Sequence, residues 1–373
     1  MEDEVYRNAP ACGSGRGTGY AGAMATQRSV WRLSRAGSID RLERRDEPLP
    51  EPGPGEARVR VEAIGLNFAD LFAALGLYSA TPSGSFIPGL ECAGVVEALG
   101  SGTASDSRLA VGDRVIALTR FGAYATALNA GVAYLRPVPP GWSAAQAAAW
   151  PVQGLTAWYG LVALGDVQPG QWVLVQSAAG GVGLIALDML GALGARPVAV
   201  VGREAKRRFL VEHRGLPPDA VLVRDARRFA SQLDAALAAT GAAGFDCVLD
   251  AVLGPTFRPA FDRLRPAGRY VLFGAADFMS RGARPNYLRL AIGYLRRPRL
   301  DPLAMISDNR SLLAFNLIWL WEHANRLPAG YAALERLAPR PPYVGATLPF
   351  DRAPEAMRLL QGGGTIGKVV LEV

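Results

Sequence analysis

From Ser29 onward, short runs in which apolar and polar residues alternate, such as Arg58-Val59-Arg60-Val61, lie between Pro/Gly clusters such as "PEPGPG". Period-two alternation marks strands with one face in a core and one in water, and the clusters mark turns. "EARVRVEAIGL", "CAGVVEALG" and "GDRVIAL" are of this kind and predict a compact β-rich domain reaching to about Pro140. After "AAQAAAWPVQGLTAWYGLVAL", which has helical spacing, the rhythm changes. "WVLVQS", "PVAVVG", "AVLVR", "FDCVLDAV" and "RYVLFGA" are apolar without alternation, and helix-length segments rich in Ala, Leu and Arg separate them. Such runs belong to a parallel sheet covered by helices on both faces. The pattern therefore predicts an α/β chain with a doubly wound domain over roughly Val152 to Asp277. From about Leu303, mixed helix and strand follow, ending on a β-like "GKVVLEV".

At 373 residues the chain is long enough for two domains with real cores. Its charge of +7 is spread among interspersed acids and bases. The densest basic cluster, "YLRRPRL", lacks the stacking aromatics of a nucleic-acid surface, so no nucleic-acid partner is expected. Three distant cysteines, Cys12, Cys92 and Cys247, fit a reducing compartment and form neither a disulfide framework nor a metal knuckle. No apolar run reaches the roughly 18–20 residues of a membrane helix. The start lacks the order of a signal peptide, and a cytoplasmic location is the expectation. Residues 1–27 read as a disordered tail in which Met24 offers an alternative start.

The most informative stretch is "WVLVQSAAGGVG", Trp172 to Gly183, a strand followed by small residues. Against the G-x-G-x-x-G pattern of dinucleotide-binding turns it reads Ala178-x-Gly180-x-x-Gly183, with Gly181 and Val182 between. The second glycine lets backbone approach a pyrophosphate, the third lets the helix pack close to the strand, and the helix start offers free N–H groups. At the end of the next strand, "VAVVGREAKRR" places Arg203 and Lys206 where a 2′-phosphate would lie, which favours NADP(H) over NAD(H). Two alternatives stand beside this: Glu204 holding a ribose, or Arg203, Lys206 and Arg207 forming merely the polar face of a helix.

These residues resemble a known family. "PGQWVLVQSAAGGVG" is similar to the cofactor turn of the zinc-free quinone oxidoreductases, the zeta-crystallin branch of the medium-chain dehydrogenase/reductases. "GLNFADLFAALGLYSATPSGSFIPGLECAGVVEALG", "PVQGLTAWYGL", "NRSLLAFNLIWLW" and "GGGTIGKVVLEV" extend the resemblance over nearly the whole chain from about Arg28. It implies a GroES-like substrate domain (28–151), a Rossmann NADPH-binding domain (152–300), a return to the substrate domain (301–373), and a homodimer formed through the Rossmann sheets. It also implies that Asn67 and Tyr78 line the substrate pocket as hydrogen-bond donors, although Asn67 also suits a turn and Tyr78 a loop. Phe72 stands where some relatives carry a second pocket tyrosine. Thr156 is expected beside the nicotinamide, Phe273 and Gly274 at its carboxamide, and Phe315 and Leu317 capping its ring. Lys368 either faces the cofactor or ends a solvated strand.

Zinc-dependent relatives place Cys and a His-Glu pair where this chain has Asn67 and Leu90, so no metal is expected. The two histidines, His213 and His323, lie outside any ligand spacing. Without a Lewis acid, the small-molecule acceptor must already be electron-poor, as a quinone or an α,β-unsaturated carbonyl is. The alternatives are a trans-2-enoyl thioester reductase and a non-catalytic NADPH-binding protein, as among the lens-crystallin and vesicle-membrane relatives. The arginines of the segment 282–302 leave three readings open, an anionic substrate tail, a partner or a solvated loop.

Overall fold

The computed structural model describes residues 26–103, 109–280 and 282–373. Most of the expected N-terminal tail, with Met24, lies outside them. Residues 26 and 27 do not belong to a tail: they open the first strand, β1 (Thr26–Leu33), which pairs antiparallel with β2 (Leu42–Leu49).

The β-rich domain is built on β3 (Glu56–Gly65), β4 (Glu91–Leu99), β5 (Arg114–Leu118), β6 (Ala127–Gly131) and β7 (Leu135–Pro137). A short helix, α1 (Phe68–Ala74), leaves β3 through Asn67, whose main-chain N–H is capped by Asp70. The predicted alternation is met in part: in β3, Val59 and Val61 are buried and Arg60 is exposed, but Arg58 is buried too, donating to Thr26 and to the Pro50 carbonyl. Two short helices, α2 (Ala144–Ala148) and α3 (Pro151–Trp158), then carry the chain into the second domain.

The second sheet comprises β8 (Trp172–Gln176), β9 (Arg196–Val201), β10 (Val221–Val223), β11 (Phe245–Asp250), β12 (Leu264–Leu272) and β13 (Ser311–Ala314). All pair parallel in the order β10-β9-β8-β11-β12-β13. The winding reverses between β8 and β11, which opens a crevice at their carboxyl ends. Val173 and Val175 of β8 pack toward α3 and α4 (Gly181–Ala192), while Leu174 packs toward α6 (Phe229–Thr240) and α7 (Phe257–Phe261). Both faces being covered, neighbouring positions are equally apolar, and this is why the sequence shows unbroken runs. Between β9 and β10 runs α5 (Glu204–Arg214).

The expected boundary at residue 300 falls too early. After α8 (Tyr287–Leu295) and α9 (Pro302–Asp308) the chain returns to the same sheet as β13, and α10 (Leu327–Leu337) packs on α3 and α4. Only then do β14 (Val344–Pro349), α11 (Ala353–Gln361) and β15 (Lys368–Glu372) rejoin the first sheet, β15 pairing antiparallel with β3. Leu371 is completely buried in the first domain's core. Leu371→Ala should therefore lower unfolding free energy by about 2–5 kcal/mol, measured by denaturant titration.

Candidate functional site

A cleft of about 1010 Å³ runs between the domains along the carboxyl ends of β8, β9 and β12. Its floor is the turn after β8. Ser177 takes a left-handed conformation (φ +57°), Gly180 caps α4 and accepts the Leu184 N–H, and the first-turn amides of α4 have no intrahelical acceptor. The glycines do separate jobs. A Cβ on Gly183 would stand 2.5 Å from the Ser177 carbonyl oxygen, so this glycine lets helix and strand approach. On Gly181 it would stand 1.9 Å from the Gln153 amide. On Gly180 it would meet only the Ser177 oxygen, at 3.2 Å, leaving the cleft side open. Ala178 does not line the cleft: it is fully buried, and its N–H donates to the Val200 carbonyl.

At one end Arg203, which caps α5, and Lys206 line the cleft together with Arg224, just past β10. Among the described residues no carboxylate pairs with any of the three. Arg203 donates to the Gly362 carbonyl (3.2 Å) and Lys206 to that of Gly363 (2.9 Å). Burial, with Arg203 and Arg224 beside it, pushes the Lys206 ammonium down to about 8. Glu204 pairs instead with Arg207 and does not line the cleft. The buried Asp250 feels the Arg224 charge without pairing with it, so the group stays net positive, and cations facing a cleft favour an anion of more than one charge.

The other end is mainly apolar. Phe315 stacks on Phe273 and meets Tyr159 edge-on, with Leu317, Gly274 and Phe72 nearby in the lining. The Thr156 hydroxyl donates to the Val152 carbonyl. Tyr78, from the first domain, donates its O–H to Asn316 Oδ1, from the second, at 2.8 Å. Burial pushes this phenol up to about 12, so it keeps its proton at neutral pH.

Beneath the cleft lies a buried polar group. Lys368, 1% exposed, donates to Glu91 Oε1 (2.5 Å) and to Asn67 Oδ1 (2.7 Å). Asn67 Nδ2 donates to Glu91 Oε1 (2.8 Å) and to the Gly65 carbonyl (3.3 Å), and Glu91 Oε2 accepts the Val152 N–H. Two expectations change here. The Asn67 amide is not free to donate to a substrate, because Glu91 and the Gly65 carbonyl between them engage both of its hydrogens. Lys368 is not a solvated strand end. Nearby Asp70 is also buried, with one oxygen unpartnered, and burial pushes its carboxyl up to about 7.

Thus every cleft residue read from the sequence except Ala178 lines this one cleft: Asn67, Tyr78, Thr156, Gly180, Gly181, Val182, Gly183, Arg203, Lys206, Phe273, Gly274, Phe315, Leu317 and Lys368. Sequence reading missed Glu91, Gln153, Arg224 and Asn316. A lone acid opening the apolar strand "ECAGVV" and a lone Gln in an apolar helix were the available signals for the first two.

Zinc does not fit the residues present. Leu90 offers no donor, Asn67 and Glu91 are engaged, and burial pushes the Cys92 thiol up to about 12. Among the described residues no group of three or more His, Cys, Asp or Glu stands together as a metal site. No helix there is long and apolar enough to cross a membrane.

Family models described as alcohol dehydrogenase GroES-like domain and zinc-binding dehydrogenase match residues 53–156 and 223–371. The human synaptic vesicle membrane protein VAT-1 homolog is 31% identical, covering 91% of this chain and 85% of the relative. The quinone oxidoreductase of Thermus thermophilus, solved also in complex with NADPH, is 32% identical with a TM-score of 0.72, over 92% of this chain and all of the other. The CurK enoyl reductase is 27% identical with a TM-score of 0.76, over 93% and 99%.

Two outcomes follow from this geometry. Gly183→Ala should destabilise the fold by about 1–3 kcal/mol on denaturant titration, since its Cβ meets backbone that has no room to move. Asp70 binds a proton more tightly folded than unfolded, so it supports the fold below pH 4 and this support is lost as pH rises toward 7. Asp70→Asn, which still accepts the Asn67 N–H, should remove that decline and raise Tm at pH 8 by about 5 °C in a pH series of thermal melts.

Proposed function

Because the chain belongs to the quinone-oxidoreductase-like branch of the medium-chain dehydrogenase/reductases, we propose that it is an NADPH-dependent, metal-independent reductase of a quinone or another electron-poor α,β-unsaturated carbonyl. The observation that carries this reading is the cleft's polarity. Three unpaired cations stand at one end, a glycine turn with a helix start lies in the middle, and an apolar pocket with a phenol donor forms the other end. Arg203, Lys206 and Arg224 would hold a 2′-phosphate, and the first-turn amides of α4 a pyrophosphate. Phe273, Phe315 and Leu317 would bound the nicotinamide. Bound there, the cofactor supplies the hydride. Tyr78 keeps its proton at neutral pH and exchanges the Asn316 oxygen for the carbonyl oxygen of the acceptor, donating to the negative charge that develops there. The apolar walls exclude water from that end.

A second reading, reduction of a trans-2-enoyl thioester, is favoured by the likeness to the CurK enoyl reductase. Quinones, enones and enoyl-CoA assayed in parallel with NADPH separate the two, and tight NADPH binding with no turnover on any of them would indicate a binding role. In sheet order β13 is an outer strand, and its free edge suits a homodimer joined through the Rossmann sheets.

Lys206→Ala and Arg224→Ala should each raise the Michaelis constant for NADPH about tenfold or more while leaving that for NADH nearly unchanged, each removing a charge-assisted contact. Equal losses with both cofactors would refute the phosphate assignment. Gly180→Val should retain a folded circular dichroism spectrum and lose NADPH binding by calorimetry, because its side chain would project into the cleft.

A further inference from the structure

Every hydrogen of the Lys368 ammonium is engaged within the protein. Besides Glu91 and Asn67, it meets Gln153: with the amide oriented to satisfy both of its ends, the Gln153 oxygen accepts from Lys368 at 3.0 Å and its nitrogen donates to the Ala149 carbonyl at 3.3 Å. The lysine therefore has no donor left for a ligand, although it borders the cleft. Its neighbours, however, press directly on the turn before α4. Gln153 lies so close to Gly181, the first residue of α4, that no Cβ fits between them. Glu91, the partner of Lys368, also fixes the start of α3 by accepting the Val152 N–H at 2.7 Å, one residue before Gln153. A second path runs through the backbone. Gly367, the residue before Lys368, donates its N–H to the Ala179 carbonyl at 2.9 Å and bridges to Gly180.

We propose that Lys368 is a positioning residue for the dinucleotide pyrophosphate, acting on the α4 turn through Gln153 and Gly367 and not by contact. Side chain and backbone of one strand end converge on the same three residues, Ala179 to Gly181. The ion pair thereby sets where the first-turn amides of α4 point. Hydrogen bonds weaken steeply as donor distance and angle depart from the favoured geometry, so a displaced turn holds the phosphates less well. The proposal rests on the reading that this turn holds the cofactor phosphates.

The test uses the full chain and NADPH in calorimetry, with thermal melts alongside. Gln153→Ala removes the link and leaves the ion pair intact. Glu91→Gln combined with Lys368→Met removes both charges without leaving either buried alone. Each folded variant should bind NADPH about tenfold or more weakly. At saturating NADPH, kcat and the KM of the acceptor should stay near the wild-type values, a split that a general loss of structure would not produce. Wild-type affinity in both folded variants overturns the proposal. Failure of both variants to fold also overturns it, since the pair would then serve folding alone. If the wild-type chain itself binds no NADPH, the functional reading above falls, which is a different result from variants that bind as well as the wild type.

Discussion

The Glu91–Lys368 pair stands where the two domains meet, and much of the local architecture can be understood as what a sealed pair of charges demands. Taking two ions out of water costs several kcal/mol each unless their remaining hydrogen-bonding capacity is met. The protein meets it with Asn67, Gln153 and the Val152 N–H, which come from the start of α1 and the start of α3. Glu91 opens β4 and Lys368 opens β15, so four elements of the first domain and its connection are located by one ion pair. Gly65 shows how tight the arrangement is, because a Cβ there would collide with the Ala148 carbonyl, the Glu91 carboxylate and the Lys368 stem.

Above this floor the cleft is asymmetric. Cations gather at the end beside β9 and β10, held by main-chain carbonyls of Gly362 and Gly363, and aromatic rings gather at the end beside β12 and β13. A ligand that is anionic at one end and flat and apolar at the other can enter in only one orientation. Carbonyl oxygens are weaker partners for these cations than a phosphate is, so they orient Arg203 and Lys206 without neutralising them.

The parts of this arrangement legible in the sequence were the contiguous ones. The doubly covered sheet announced itself as unbroken apolar runs, and the glycine turn with Arg203 and Lys206 falls within some thirty residues. The ion pair was not legible, since its partners lie 277 residues apart and nothing in either segment points to the other. Tyr78 was named, but its partner Asn316 lies 238 residues away. The domain boundary was misplaced for a different reason. Helices α8 and α9 bury no residue, and β13 is short and only half-buried, so between 282 and 314 hydrophobicity does not report a core.

The late return of β15 to the first sheet bears on how the chain is made. The outer edge of β3 at Ala63–Gly65 waits for partners roughly 300 residues downstream. At a ribosomal rate of about 5–20 residues per second, that interval lasts on the order of 15–60 s. Throughout it the inserted domain can fold to completion, while the nascent first domain carries an unpaired edge and an unneutralised Glu91. The first domain is thus begun early and finished last, and its vulnerability to misassembly is greatest during synthesis.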